Sequence, residues 1–206
     1  MCYFLGLDVR VLNLPSEQDY FFIVSNHLSY TDIPVIASVF DCVFISKEEV
    51  KNWPIIGIFS KLVGTIFVNR DSKRSTVNAI KDAEKVFKSK RSIILFPEAT
   101  TSDGSSVREF KSAFFSLPEK LNLPILPLAI SYKDSKSGMQ NTVVPWFGNK
   151  NMLSHFWHLI GNRGIIAEVI CCELIKAQGD NSLSIRKELA KVSERLVFDA
   201  YMKSIR

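Results

Sequence analysis

The sequence predicts an α/β fold, a single domain over residues 1–206 whose mostly buried mixed sheet is flanked by helices. Three observations carry this. Short runs of β-branched and aromatic residues recur along the chain, stretches with helical spacing lie between most of them, and 47% of the 206 residues are hydrophobic against 23% charged. That balance suits a globular chain with a substantial core, and runs this apolar suit strands covered on both faces.

In order, the predicted strands are "FFIVS" (21–25), "CVFIS" (42–46), "GTIFVN" (64–69), "SIILFPE" (92–98), "PILPLAISY" (124–132), "NTVVPWF" (141–147) and "GIIAEVICCEL" (164–174). For Leu126, Pro127 and Leu128 ordinary core packing is the better explanation. The clearest helix is 72–89, where Val77, Ile80, Ala83, Val86 and Phe87 share one face and Lys81, Lys85 and Lys88 another. A closing helix is predicted from about Ser182 to Ser204, with Ile185, Leu189, Val192 and Leu196 as its stripe.

Apolar stretches such as "PILPLAISY" are far shorter than the roughly 20 residues that cross a bilayer, and no signal peptide opens the chain, so the expectation is neither a secreted nor a membrane-spanning protein. Cys171 and Cys172 are adjacent and leave a strand on opposite faces, which suits a reducing compartment. Residues 61–91 hold nine Lys/Arg against three acids, an excess that fits anionic lipid, phosphorylated substrates or nucleic acid, or simply a solvated face. His155 and His158 are three apart, but without a Cys, Asp or Glu cluster nearby. Aromatic packing with Phe156 and Trp157 is the better account, and no metal site is expected.

The stretch "SNHLSYTDIP" (25–34) admits two readings. In one, Ser29 and Asp32 follow a variant of the Ser-x-x-acid pattern that starts a helix, and His27 is a loop residue. In the other, the turn from strand to helix lets the Asp32 carboxylate meet one imidazole nitrogen of His27 and leaves the second facing substrate as a base. A purely helical spacing of five would set the side chains about 140° apart, so this pairing needs the turn. One carboxylate can serve both readings.

After this stretch come "ISKEEVKNWPIIG", "GTIFVNR", "LFPEATTSDG", "EFKSAFF" and "ILPLAI", in that order. Together they resemble the glycerolipid acyltransferase superfamily, the lysophosphatidate acyltransferases and their relatives, over roughly residues 20–131 and more weakly through "PWFGNKNMLSHFWHLI". The resemblance implies direct transfer of a fatty acyl group from acyl-CoA or acyl carrier protein, as co-substrates rather than cofactors, to a lysolipid hydroxyl. His27 is then the general base and Asp32 its orienting partner. No G-x-S-x-G elbow is present, in keeping with the absence of an acyl-enzyme. Oxyanion donors are expected among backbone N–H groups near the first helix.

By the same resemblance, Arg70 at the end of "GTIFVNR" contacts the acceptor's phosphate, Lys111 is a further basic position, and Glu98 with Thr100 and Thr101 helps build the acceptor site. Two departures stand out. Ala99 occupies a position usually held by glycine, where a positive φ would strain it. Thr101 stands where many lysophosphatidate enzymes carry arginine, which points toward the branch acylating lyso-ornithine lipid or lysophospholipids with larger headgroups.

Many family members carry a membrane-holding segment ahead of the first strand. With little chain before "YFFIV", peripheral docking at a cytoplasmic membrane face is expected through the basic 61–91 region and the apolar residues around Trp53, or through a preceding segment. The alternatives are a non-catalytic lipid-binding relative and, least supported, a nucleic-acid binder using the basic helix.

Overall fold

The structure, a computed structural model, describes residues 2–16, 20–52, 64–69, 72–176 and 183–206. Among the described residues eight strands form one sheet: β1 (Leu7–Leu12), β2 (Phe22–Ser25), β3 (Cys42–Lys47), β4 (Ile66–Val68), β5 (Ser92–Leu95), β6 (Pro124–Asp134), β7 (Ile165–Cys171) and β8 (Ile175–Lys176). The order is β1-β7-β6-β2-β5-β3-β4, with β8 also paired to β6. The pairings β6–β7 and β6–β8 are antiparallel and the others parallel, so the sheet is mixed. The helices that flank it are α1 (Asp32–Ala37), α2 (Lys73–Lys88), α3 (Ser116–Leu121), α4 (Met152–Gly161) and α5 (Leu183–Ser204).

Every residue of β2 and of β5 is buried, as is most of β6, which is what continuous apolar runs covered on both faces require. Pro127 sits inside β6 without an N–H to donate. Its position falls where β6 changes partners, between the β8 pairing at Ile125 and the β7 pairing at Leu128, so the missing N–H takes from the ladder only the return bond of the Pro127–Cys172 pair. The Pro127 carbonyl still accepts from Cys172 N–H at 2.9 Å.

Ser72 caps α2, its side chain accepting from Ser75 N–H, and Ala83 is fully buried with Ile80, Val86 and Phe87 packed around the core. Val77 departs from the predicted face and is half exposed, while Ala79 packs inward one turn before Ala83. In α5 the seam also differs from the predicted one. Leu189, Ser193, Val197 and Tyr201 are buried at steps of four, and Val192 is exposed. The helix packs on β6 with Ser193 fully buried in its seam, and the Tyr201 hydroxyl reaches the Gly104 carbonyl at 2.6 Å, so tertiary partners rather than side-chain size select the seam.

Two strand expectations change. The run "NTVVPWF" forms no strand: Asn141 Oδ1 accepts from the N–H groups of Val143 and Val144, an Asx turn, and Pro145 follows with no donor. The first strand is β1, earlier than expected; its alternate residues are exposed at the sheet edge, so it lacks a continuous apolar signature. Among the described residues no helix is long and apolar enough to cross a membrane.

Candidate active site

β2 lies between β5 and β6, and the chain leaves β2 toward β3 on one side but returns from β5 to β6 on the other. In open α/β sheets this reversal opens a crevice beyond the carboxyl ends of the strands. Here it holds the residues that follow β2 and β5. A cavity of about 250 Å³ is lined by His27 and Tyr30 from the first loop, Phe96, Thr100 and Thr101 from the second, and Trp146.

His27 Nδ1 lies 2.8 Å from Asp32 Oδ2. The same oxygen accepts the backbone N–H groups of Leu28 at 2.7 Å and Ser29 at 3.0 Å, and Oδ1 accepts the Tyr132 hydroxyl at 2.7 Å. Asp32 is fully buried. A carboxylate that already accepts three other donors has only acceptor capacity to offer the ring, so Nδ1 is the protonated nitrogen and Nε2 the acceptor of a histidine that lines the cavity. Phe96 stacks on the imidazole with centroids 3.9 Å apart and planes 10° from parallel, fixing the ring's tilt.

Both capping and pairing are therefore present in part. Asp32 occupies the first turn of α1 and bonds back to Ser29 N–H, the acid half of the pattern, while Ser29 Oγ takes Thr31 N–H rather than that of Asp32. Thr31 is the N-cap, without a side-chain cap bond. The N–H groups of Leu28, Ser29, Thr31 and Asp32 are all engaged within this loop, which removes these four as oxyanion donors.

The second loop holds the first by the His27 backbone. Glu98 Oε1 accepts His27 N–H at 3.3 Å, and His27 C=O accepts Ser102 N–H at 2.9 Å. Glu98 is buried, does not line the cavity, and has no partner for Oε2 among the described residues. Burial pushes its carboxyl up to about 8, opposed by the N–H groups of His27 and Arg108, so at neutral pH it is largely protonated. Ala99 has φ 63°, the strained conformation its sequence position foreshadowed, yet the loop keeps the Ala99 N–H bond to Phe96 C=O at 3.1 Å.

Thr100 and Thr101 line the cavity. Lys111 does not: its backbone N–H holds Pro97 C=O at 3.2 Å, and its exposed side chain is not part of the cavity wall. Arg70, like Trp53, lies outside the described residues.

Several residues escaped sequence reasoning. Asn26 bridges β2 to β6 with both amide atoms, donating to Ile130 C=O at 2.9 Å and accepting from Ile130 N–H at 2.8 Å. Tyr132 receives a bond from Thr31 Oγ1 at 3.1 Å while donating to Asp32. Trp146 N–H donates to Leu28 C=O at 2.8 Å and its ring lines the cavity. The signal for Asn26 and Tyr132 was a polar or hydroxylated side chain where core strands run.

His155 donates from Nε2 to Val143 C=O at 2.9 Å and accepts the Tyr30 hydroxyl at Nδ1, also at 2.9 Å, as a packed neutral imidazole. Burial lowers its basicity. Among the described residues no three metal-ligating side chains cluster. On α2, Lys85 pairs with Asp82 and Lys88 with Glu84, which offsets part of the basic face that a nucleic acid would need.

A model of the acyltransferase family matches residues 8–131. Over 198 residues the chain is 32% identical to the lyso-ornithine lipid O-acyltransferase of Pseudomonas aeruginosa, covering 96% of this chain and 73% of that one. Over 196 residues it is 24% identical to the 1-acyl-sn-glycerol-3-phosphate acyltransferase of Neisseria gonorrhoeae, covering 95% and 76%. Among solved structures, the 1-acyl-sn-glycerophosphate acyltransferase PlsC from Thermotoga maritima superposes with a TM-score of 0.65 at 24% identity, over 97% of this chain and 73% of that chain, a likeness of fold.

Proposed function

The chain belongs to the acyltransferase family, and from that premise we propose that it moves a fatty acyl group from an acyl thioester to the hydroxyl of a lysolipid, with His27 as general base and Asp32 as its orienting partner. The observation that carries this is the 2.8 Å contact from His27 Nδ1 to Asp32 Oδ2, on a histidine that lines the cavity.

In the proposed step the acceptor hydroxyl gives its proton to His27 Nε2 as its oxygen bonds to the thioester carbonyl carbon. The C–S bond then breaks, and the departing sulfur takes the proton back from the imidazolium. Asp32 stabilises that cation while it exists. The thioester is that of acyl-CoA or an acyl carrier protein, and no other cofactor is invoked.

A second cavity, of about 280 Å³, shares Ile45, Ser46 and Leu95 with the first and is lined further by Phe22, Val68 and Phe114. A mainly apolar space that shares these three wall residues with the cavity of His27 supports accommodation of an acyl chain. Action at a membrane surface, on its cytoplasmic side where thioester donors are found, is part of the same proposal. Beside the cavity, α4 exposes Leu153 and Trp157, and residues 141–163 include Lys150 and Arg163 but no acidic residue, which favours contact with anionic lipid.

The test is release of free thiol from acyl-CoA and acyl carrier protein donors with a panel of lysolipids. Acceptor-dependent release is expected in the wild type and a loss of at least about 100-fold in His27→Ala. Equal thiol release by the two proteins would defeat the base assignment, and lipid binding without turnover in the wild type would favour a binding protein.

A further inference from the structure

Gly104 is buried in the second loop, two residues past Ser102, and its carbonyl takes two donors. One is the Tyr201 hydroxyl, from the last turn of α5, at 2.6 Å; the other is the Gln140 side-chain amide, also at 2.6 Å. The same amide donates to the Tyr201 oxygen at 3.0 Å, which closes a triangle and fills both lone pairs of the Gly104 carbonyl. Tyr201 is fully buried. The junction has no room for a side chain at residue 104, because a Cβ there would lie 3.0 Å from Gln140 Nε2, 3.1 Å from the Tyr201 oxygen and 3.5 Å from Pro145 Cγ, at a φ of 83°.

Two segments run from this junction to the loop that carries the histidine. On one side, Gly104 N–H reaches Ser102 Oγ at 3.4 Å, and Ser102 N–H holds His27 C=O at 2.9 Å. On the other, the chain runs from Gln140 through the Asn141 turn and Pro145 to Trp146, whose N–H holds Leu28 C=O at 2.8 Å. The two carbonyls that follow the His27 Cα are thus held by two segments that meet at Gly104. Resting on the acyltransferase reading above, we propose that Tyr201 and Gln140 are positioning residues for the transfer: they clamp Gly104 and, through Ser102 and Trp146, fix the backbone from which the His27 imidazole projects. Neither lies within residues 8–131, the span that matches the acyltransferase family. A base must stay within hydrogen-bond reach of the proton it takes, and a misplacement of about 1 Å costs about 100-fold in rate.

Tyr201→Phe keeps the ring in the core and deletes the hydroxyl; Gln140→Met keeps the length and deletes the donors. In steady-state thiol release, measured well below each unfolding midpoint, Tyr201→Phe lowers kcat between about 10- and 100-fold with KM unchanged. Gln140→Met lowers it less, and the double variant loses less than the product of the two, since both act on one carbonyl. Ser193→Ala removes from the same helix a buried hydroxyl that has no partner among the described residues, and leaves kcat as in the wild type. Amide hydrogen exchange followed by NMR reads the clamp without turnover: in Tyr201→Phe, protection of the Ser102 and Trp146 N–H groups falls about tenfold while that of β2 and β5 is kept. Wild-type kcat in Tyr201→Phe overturns the proposal. So does protection lost evenly across the sheet, which would make the Tyr201 hydroxyl a contact for stability alone. A wild type that releases no thiol with any acceptor defeats the acyltransferase reading instead, and exchange at Ser102 and Trp146 then still decides whether the clamp holds the His27 loop.

Discussion

Ala99 holds a φ of 63° in a loop whose neighbours clamp the His27 backbone, so replacing it by glycine should stabilise the protein, the reverse of the usual effect of Ala→Gly. An L-residue in the left-handed region costs about 1–2 kcal/mol. Glycine returns about 0.4–1 kcal/mol of that through the greater freedom of the unfolded chain. The balance favours Ala99→Gly by about 0.5–1 kcal/mol, and at about 2–4 °C per kcal/mol for a chain of this size the midpoint rises by about 1–4 °C. Thermal unfolding by circular dichroism, checked by the midpoint in urea, measures it. Thiol release should be no lower than in the wild type, since the change only removes a methyl group from the cavity wall. A midpoint lowered by several degrees would refute the reasoning, because it would mean that residue 99 has negative φ in solution.

Two further predictions concern the groups around His27. Glu98 binds its proton more tightly in the folded chain, at about 8 against an ordinary 4.5, so stability is expected to fall as pH rises from about 4.5 to 8 and to level off above that; Glu98→Gln removes this slope, and its midpoint should gain on the wild type between pH 5 and pH 8. Tyr132→Phe keeps the ring but deletes a bond to a buried carboxylate worth about 1.5–3 kcal/mol, so kcat should fall about tenfold or more with KM unchanged; a lowered melting temperature with wild-type kcat would make Tyr132 merely structural.

Legibility followed distance along the chain. His27 and Asp32 were readable because their meeting needs only a local turn, and the spacing of five states that the turn must exist. Ala99 was readable because a missing glycine is a local conformational statement. Tyr132 lies 100 residues from Asp32 and Asn26 lies 104 from Ile130, and nothing in either segment announces the strand alignment that joins them. Glu98 illustrates a different limit. Its presence was predicted, but whether a carboxylate at a strand end faces a cavity or supports a peptide depends on the burial of the next loop, and here it supports the His27 N–H from below the cavity wall. β1 and the α5 seam were misjudged because edge exposure and the choice of packing partner are set by the whole sheet.

The two readings of "SNHLSYTDIP" converge on one oxygen, and that bears on how they can be separated. Asp32 Oδ2 takes the His27 Nδ1 proton and the Leu28 and Ser29 N–H groups together, so truncating Asp32 would orphan two buried backbone donors as well as the imidazole. Loss of activity in such a variant would say nothing about which role mattered. Oδ1 is different, because among the described residues its one donor is Tyr132, and the backbone donors of the loop sit on the other oxygen. Perturbing the carboxylate from the Tyr132 side alters its electronic and positional hold on His27 and leaves the Leu28, Ser29 and Asp32 N–H bonds of the helix start in place, releasing there only the Thr31 Oγ1 bond to the Tyr132 hydroxyl. The chemistry can therefore be probed apart from the cap only across the sheet, from β6, and not from within the loop that carries the motif.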